Sequence, residues 1–182
     1  IDVNIDTNLI DTKACSHFVG RVIQGVQNKP SPEWLQRKLK SIGLSPISAL
    51  VDITNYICFD LCRPLHAFDA DKISSPLRVR FAAEKETFTA LNEKTYTLDS
   101  EMVVVADSSN VQALGGIIGG ESSGCSLETK NIFLEAAFFD PIRIASTGRK
   151  LGVITDARYR FERGVDPQMT VLGIEKATQL IL

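Results

Sequence analysis

The sequence has 182 residues, 44% of them hydrophobic and 23% charged, ordinary proportions for a globular protein and enough chain for one large domain or two small interleaved ones. A formal net charge of −2 argues against wholesale electrostatic wrapping of nucleic acid, while leaving room for a local basic face. No apolar run approaches the roughly 20 residues of a membrane span and no secretory signal opens the chain, so a cytoplasmic protein without a membrane partner is expected.

In chain order, Phe18–Ile23 reads as a strand. Ser31, Pro32 and Glu33 then supply an N-cap, a proline at the first helical position and an acid in the first turn. Trp34, Leu35, Leu39 and Ile42 follow at helical spacing, with Gly43 as the stop. A second helix is expected from about Ser48, its stripe formed by Leu50, Ile53, Ile57 and Leu61, ending before Pro64. Leu77–Phe81 alternates apolar and basic residues, as a half-exposed strand does, and Met102–Ala106 is a β-branched run suited to a buried strand. Another apolar run covers Asn131–Phe139. Asp166 and Pro167 open a last helix with Val171, Ile174 and Leu182 in its apolar set. Helices at both ends around several strands make an α+β fold. An opening Ile1 in place of methionine and a closing Leu182 inside an apolar stretch suggest a module of a longer polypeptide.

Among residues able to carry chemistry, Glu135 is the only charge in Ile132–Phe139. Strand alternation puts it on one face with Phe133 and Ala137. Burying such a carboxylate alone is costly, so it is exposed, paired, or an acceptor for a polar group on a ligand. The doubled glycines 115–116 and 119–120 match neither nucleotide-binding loop, which leaves a close backbone approach to a ligand or a sharp turn. His66 follows Pro64 and could accept a proton or orient water near neutral pH, or be structural; Thr54 and Asn55 are polar residues closing a helix turn. Residues 143–163 carry six basic and two acidic side chains, a local excess that suits a phosphate backbone, a solvated surface or internal ion pairs equally. Cys15, Cys58, Cys62 and Cys125 fall at neither redox nor zinc spacing and are read as reduced, mostly buried thiols, with no metal site.

Taken together, Val51–Tyr56, Arg63–Asp69, Gly116–Gly120, Phe133–Phe139 and Thr155–Pro167, in that order, resemble successive blocks of the central editing region of bacterial phenylalanine–tRNA ligase beta subunits. Ala14-Cys15 and Gly20–Ile23 also fit, so the resemblance runs over nearly the whole chain. It implies a single editing module over 1–182, built as one unit or as two interleaved subdomains, with a mixed sheet or barrel-like β core flanked by helices. It further implies hydrolysis of tyrosine wrongly attached to the phenylalanine tRNA, in a beta subunit that pairs with a catalytic alpha subunit as an α2β2 tetramer. The whole enzyme would use ATP and magnesium; this region would need no cofactor. By the same resemblance Glu135 recognises the tyrosine hydroxyl, while His66, Thr54 and Asn55 sit nearer the ester. Gly116, Gly119, Thr155 and Ala157 complete the pocket, the glycines and Ala157 being small to leave room for the ring and the terminal adenosine. Cys62-Arg63 departs from the family pattern, where a glycine and a neutral polar residue are common. Gly115 often is alanine there, and Arg158 often a small residue such as serine. The competing readings are a non-catalytic module that holds tRNA or the alpha subunit, and a freestanding hydrolase of the same fold.

Overall fold

Residues 131–139 are apolar on both faces because they form a strand with a layer packed on each side. In the computed structural model, which describes residues 1–182, the elements are β1 (Val3–Ile5), α1 (Thr7–Asp11), β2 (Cys15–Gln24), α2 (Glu33–Ser41), α3 (Ala49–Asp60), β3 (His66–Asp69), a 3-10 turn (Ala70–Lys72), β4 (Leu77–Phe81), β5 (Thr87–Thr89), β6 (Thr95–Thr97), β7 (Val103–Ala106), β8 (Val111–Leu114), β9 (Ile118–Gly119), β10 (Asn131–Phe139), α4 (Pro141–Leu151), α5 (Asp156–Phe161) and α6 (Met169–Ile181). The fold is α+β. A five-stranded sheet has the order β1-β4-β7-β8-β9, a three-stranded sheet the order β2-β10-β3, and β5-β6 form a hairpin. Only β1 and β4 run parallel, so the larger sheet is mixed.

The alternation along β10 sorts its side chains between two cores. Phe133, Ala137 and Phe139 join Leu77, Val79 and Val103–Val105 of the five-stranded sheet. Leu134 and Ala136 point the other way, against Leu35 and Leu39 of α2, Ile53 and Ile57 of α3, and Ile174 and Ala177 of α6. The three-stranded sheet is thus the middle layer, which is why its central strand reads as a continuous apolar run and not as an alternation. Each large aliphatic or aromatic side chain so enclosed contributes about 1.5–3 kcal/mol.

Local signals hold in most places and shift in some. The strand expected at Phe18–Ile23 extends to Cys15–Gln24, and the stripe of α3 buries Leu50, Ile53 and Ile57. Ser31 does not cap α2: its hydroxyl donates to the buried carboxylate of Asp52, and Pro32 takes the N-cap position one residue later than expected. The proton of that hydroxyl is committed to Asp52, and no side chain caps the start of α2. The last helix begins at Met169 and not at Pro167; Ile174 is buried, but Val171 and Leu182 are exposed, and Thr170, Gly173 and Ala177 form the inward stripe instead. All four cysteines are free thiols, with Cys15 and Cys58 buried, Cys125 half-buried and Cys62 exposed. No helix is long and apolar enough to cross a membrane.

Candidate active site

Pairing of β10 with β3 sets Glu135 directly opposite His66. Residues opposite one another in an antiparallel pair project to the same face, here the face toward the five-stranded sheet. On the other flank of β10, Glu135 is opposite Gly20 of β2. A Cβ on Gly20 would fall 2.2 Å from Cζ of Phe133, so the missing side chain is what admits the Phe133 ring beside Glu135.

The second wall is the turn between β8 and β9. Gly116 has φ +69°, a conformation that costs an L residue about 1–2 kcal/mol, and a Cβ there would lie 2.9 Å from Phe139 and 3.0 Å from Ile144. Gly119 lets the His66 imidazole rest on its Cα, since a Cβ would sit 2.3 Å from Cε1 and 2.6 Å from Nε2. The third wall is α5. Thr155 caps it by accepting from the Arg158 amide at 3.1 Å, and the same hydroxyl donates to the Ile117 carbonyl at 2.7 Å. One side chain therefore ties the glycine turn to the helix that carries Ala157 and Phe161.

These walls enclose a small cleft of about 100 Å³, and most of its lining is apolar. His66, Gly116, Gly119, Glu135 and Ala157 all line it, together with Pro64, Leu65, Ala113, Leu114, Ala137 and Phe161. Thr155 lies behind the lining, bonded to it. Thr54 and Asn55 do not line the cleft: both are half-buried on α3, and the Thr54 hydroxyl donates to the Val51 carbonyl at 2.9 Å. The residues that motif reading alone did not single out, Ala113, Leu114 and Phe161, are ordinary apolar residues of β8 and α5. Ala137, two residues beyond Glu135 on the same face, was legible from strand alternation.

Two polar atoms inside the cleft have no partner, Oε2 of Glu135 and Nε2 of His66. Burial pushes the Glu135 carboxyl up to about 8 and the His66 imidazole down to about 4. No lysine or arginine lines the cleft to draw the Glu135 carboxyl back down. At neutral pH the acid therefore keeps its proton and the imidazole is unprotonated, so the site carries polarity without net charge. His66 keeps part of its ring at the surface, but the nitrogen that faces Gly119 is enclosed.

Arg63 stands behind this site with all three guanidinium nitrogens buried and unpaired. Its guanidinium lies over the Phe161 ring at 5.7 Å and its stem packs where a Cβ on Gly173 would come within 2.6 Å. Burial lowers its pKa, with Asp166 the largest opposing charge. The basic segment 143–163 is largely spent on the protein itself. Arg158 and Arg163 pair with Glu162, Arg160 with Asp156, and Lys150 with Asp99. Arg143 lies over the Phe81 ring at 5.1 Å. Arg158 also points away from the cleft, against Gly148 and the Val153 carbonyl.

A family model described as the B3/4 domain matches residues 14–182. The chain is 56% identical over 182 residues to the phenylalanine–tRNA ligase beta subunit of Paramagnetospirillum magneticum, covering 100% of this chain and 23% of that one. It is 54% identical over 178 residues to the corresponding subunit of Rhodopseudomonas palustris, covering 98% and 22%. The chain thus spans less than a quarter of the length of these relatives. A crystal structure of an N-terminal fragment of the phenylalanyl-tRNA synthetase beta subunit from Pyrococcus horikoshii superposes with a TM-score of 0.54 at 19% identity, covering 83% of this chain and 49% of that one. At that identity the likeness speaks for the fold.

Proposed function

The chain belongs to the B3/4 domain family, and from that membership we propose that it edits aminoacyl-tRNA, hydrolysing the ester of tyrosine misattached to the phenylalanine tRNA. The parent assembly would contain a catalytic alpha subunit in an α2β2 tetramer and charge the tRNA in the cytoplasm with ATP and magnesium. The observation that carries the reading is the enclosed, unpartnered Oε2 of Glu135 in a cleft otherwise walled by His66, apolar side chains and glycine.

The chemical need is plain. A synthetic pocket shaped for phenylalanine rejects an added hydroxyl only about a hundredfold. A second pocket that supplies a partner for that hydroxyl reverses the preference. Phenylalanine entering it would leave the Glu135 carboxyl unpaired and out of water, which costs about 1–3 kcal/mol. The ring would lie among Ala113, Ala137, Ala157 and Phe161, with Gly116 and Gly119 leaving space.

The aminoacyl ester is already activated, so holding a water against its carbonyl suffices for hydrolysis. Water adds to the carbonyl carbon, the bond to the ribose oxygen breaks, and that oxygen takes up a proton to leave free tyrosine and uncharged tRNA. An imidazole whose pKa is pushed to about 4 is a weak general base but a good neutral hydrogen-bond acceptor, which is the part assigned to His66. Thr54 and Asn55, outside the ring cleft, are assigned to the ester and ribose end.

The test is deacylation of tyrosyl and phenylalanyl phenylalanine-tRNA by the wild type, Glu135→Ala and His66→Ala. The Glu135 variant should lose its preference for the tyrosyl ester, and the His66 variant should slow. Unaltered rates in both would defeat the assignment.

A further inference from the structure

The exposed side of α2 and the C-terminal half of α3 meet in a basin that lies outside the cleft. Lys38, Ser41 and Ile42 of α2 stand at i, i+3 and i+4, as do Tyr56, Phe59 and Asp60 of α3, so each set shares one helix face. With the buried Leu39 they line a shallow depression of about 220 Å³.

Each aromatic ring of the basin has a cation beside it. Lys38 Nζ lies over the Tyr56 ring at 5.5 Å and the Arg160 guanidinium over the Phe59 ring at 4.1 Å, while Trp34 meets Tyr56 edge-on at 5.6 Å. Arg160 is committed, since it also pairs with Asp156. Lys38 is exposed, has no acidic partner and sits on a flexible stem that can swing off the ring. Lys40 is exposed too, and Arg37 has only a long, exposed pair with Glu33 at 3.8 Å. Cations free to meet a phosphate thus line α2, whereas those of 143–163 are largely spent on neighbouring acids.

Aromatic faces beside unpaired cations are the chemistry of single-stranded nucleic acid, whose bases stack on the rings while its phosphates take the charge. The basin is also joined to the cleft. On α5, Ala157 lines the cleft and Arg160, one turn on, covers Phe59. On α3, Asn55, assigned above to the ester and ribose end, stands one turn before Phe59.

We propose that this basin is a subsite for the single-stranded tRNA segment that precedes the aminoacylated nucleotide. A base stacks against Tyr56 and Phe59, and its phosphate draws Lys38 off the ring. Asp60, exposed on the rim, accepts from the exocyclic amino group of a cytosine or adenine. This rests on the editing reading and extends it: the cleft reads the amino acid, and the face between α2 and α3 holds the strand that delivers it.

The experiment uses the full-length parent assembly and two independent readouts. The first is photocrosslinking of a tyrosyl-tRNA in which an amide replaces the ester and 5-iodocytidine stands just before the terminal adenosine. The crosslink is expected on the α3 peptide that carries Tyr56 and Phe59. A crosslink elsewhere, or none, overturns the proposal whether or not the ester is hydrolysed. The second readout compares hydrolysis of tyrosyl-tRNA with that of tyrosyl-adenosine, which lacks the preceding nucleotides. Tyr56→Leu should lower kcat/KM for tyrosyl-tRNA at least about tenfold relative to tyrosyl-adenosine, the size of one lost base stack. Tyr56→Phe, which keeps the ring, should restore what leucine loses. Lys38→Gln should flatten the slope of log kcat/KM against log salt by about 0.7, the share of one phosphate on a single strand. An equal fall on both substrates would mean that Tyr56 only supports the fold, and an unaltered salt slope would deny the phosphate contact; either result overturns the proposal. A crosslink in place on an assembly that hydrolyses neither ester would leave the subsite standing and sink the editing reading.

Discussion

The imidazole of His66 rests on the bare Cα of Gly119, where a Cβ would lie 2.3 Å from Cε1. The ring is held by that contact on one side and by an edge-on contact with Phe68 at 4.3 Å between centroids on the other. Because the backbone at Gly119 has no positive φ, alanine is excluded by space and not by conformation.

Gly119→Ala should therefore push His66 out of the cleft while leaving the chain folded. The expected cost in stability is about 1–3 kcal/mol for such overpacking, read from urea unfolding. Tyrosyl-ester hydrolysis should fall at least about tenfold, since a small misplacement of a positioned group is expensive. Wild-type hydrolysis in this variant would show that the ring is not seated there in the working protein.

Glu135 and His66 also define a pH window for stability. His66 falls from 6.5 to about 4 on folding, so its contribution is complete above 6.5 and lost as pH drops toward 4. Glu135 rises from 4.5 to about 8, so its contribution is complete below 4.5 and lost as pH climbs toward 8. Between 4.5 and 6.5 the two slopes oppose and cancel. Unfolding free energy should hold level there, with a decline from 6.5 to 8 that Glu135→Gln abolishes. An alkaline limb that survives in the variant would assign it to other groups.

Cys62 follows the C-cap of α3 with φ +51°, the left-handed position where helices favour glycine. Cys62→Gly removes a Cβ penalty of about 1–2 kcal/mol and adds an unfolded-state entropy of about 0.5–1 kcal/mol. The variant should be as stable as the parent or more stable by up to about 1.5 kcal/mol. A clear loss of stability would mean that the thiol makes a contact worth more than the strain.

Gly148 and Arg158 are fitted to each other across α4 and α5: a Cβ on Gly148 would lie 2.1 Å from Arg158 Nε. Gly148→Ala alone should displace the arginine from its bond to Glu162 at 3.1 Å and destabilise the fold. Arg158→Ser alone should also destabilise it. Together they should cost less than the sum, by at least about 1 kcal/mol, because serine vacates the space that alanine needs. Additive costs would deny the contact.

Much of the architecture was readable from local pattern. Leu77–Phe81 and the strand at 103–106 fall where alternation and β-branching put them, and α3 occupies the expected stripe. The brackets of α4 are equally local, with Asp140 as N-cap, Pro141 at the first helical position and Gly152 in the left-handed C-cap at φ +65°, yet a charge-based reading of 143–163 passes over them. Ser31 shows the opposite case. Its sequence context is that of a helix cap, but Asp52, on the next helix, claims its hydroxyl, and no local signal reports a partner from another element. The basic residues of 143–163 are similar: whether they meet solvent, phosphate or acids depends on where Asp99 and Glu162 end up.

By itself the sequence determined the isolated acid in an apolar strand, the glycine turn and the ordered blocks that resemble one family, because each is a property of neighbouring residues. Only the tertiary structure decided that Glu135 and His66 share a cleft with Gly119, that Thr155 braces this cleft from behind, and that Thr54 and Asn55 stand outside its lining. Strand register and layer packing join residues far apart in the chain. Burial, and with it the protonation of Glu135 and His66, exists only once those layers have closed.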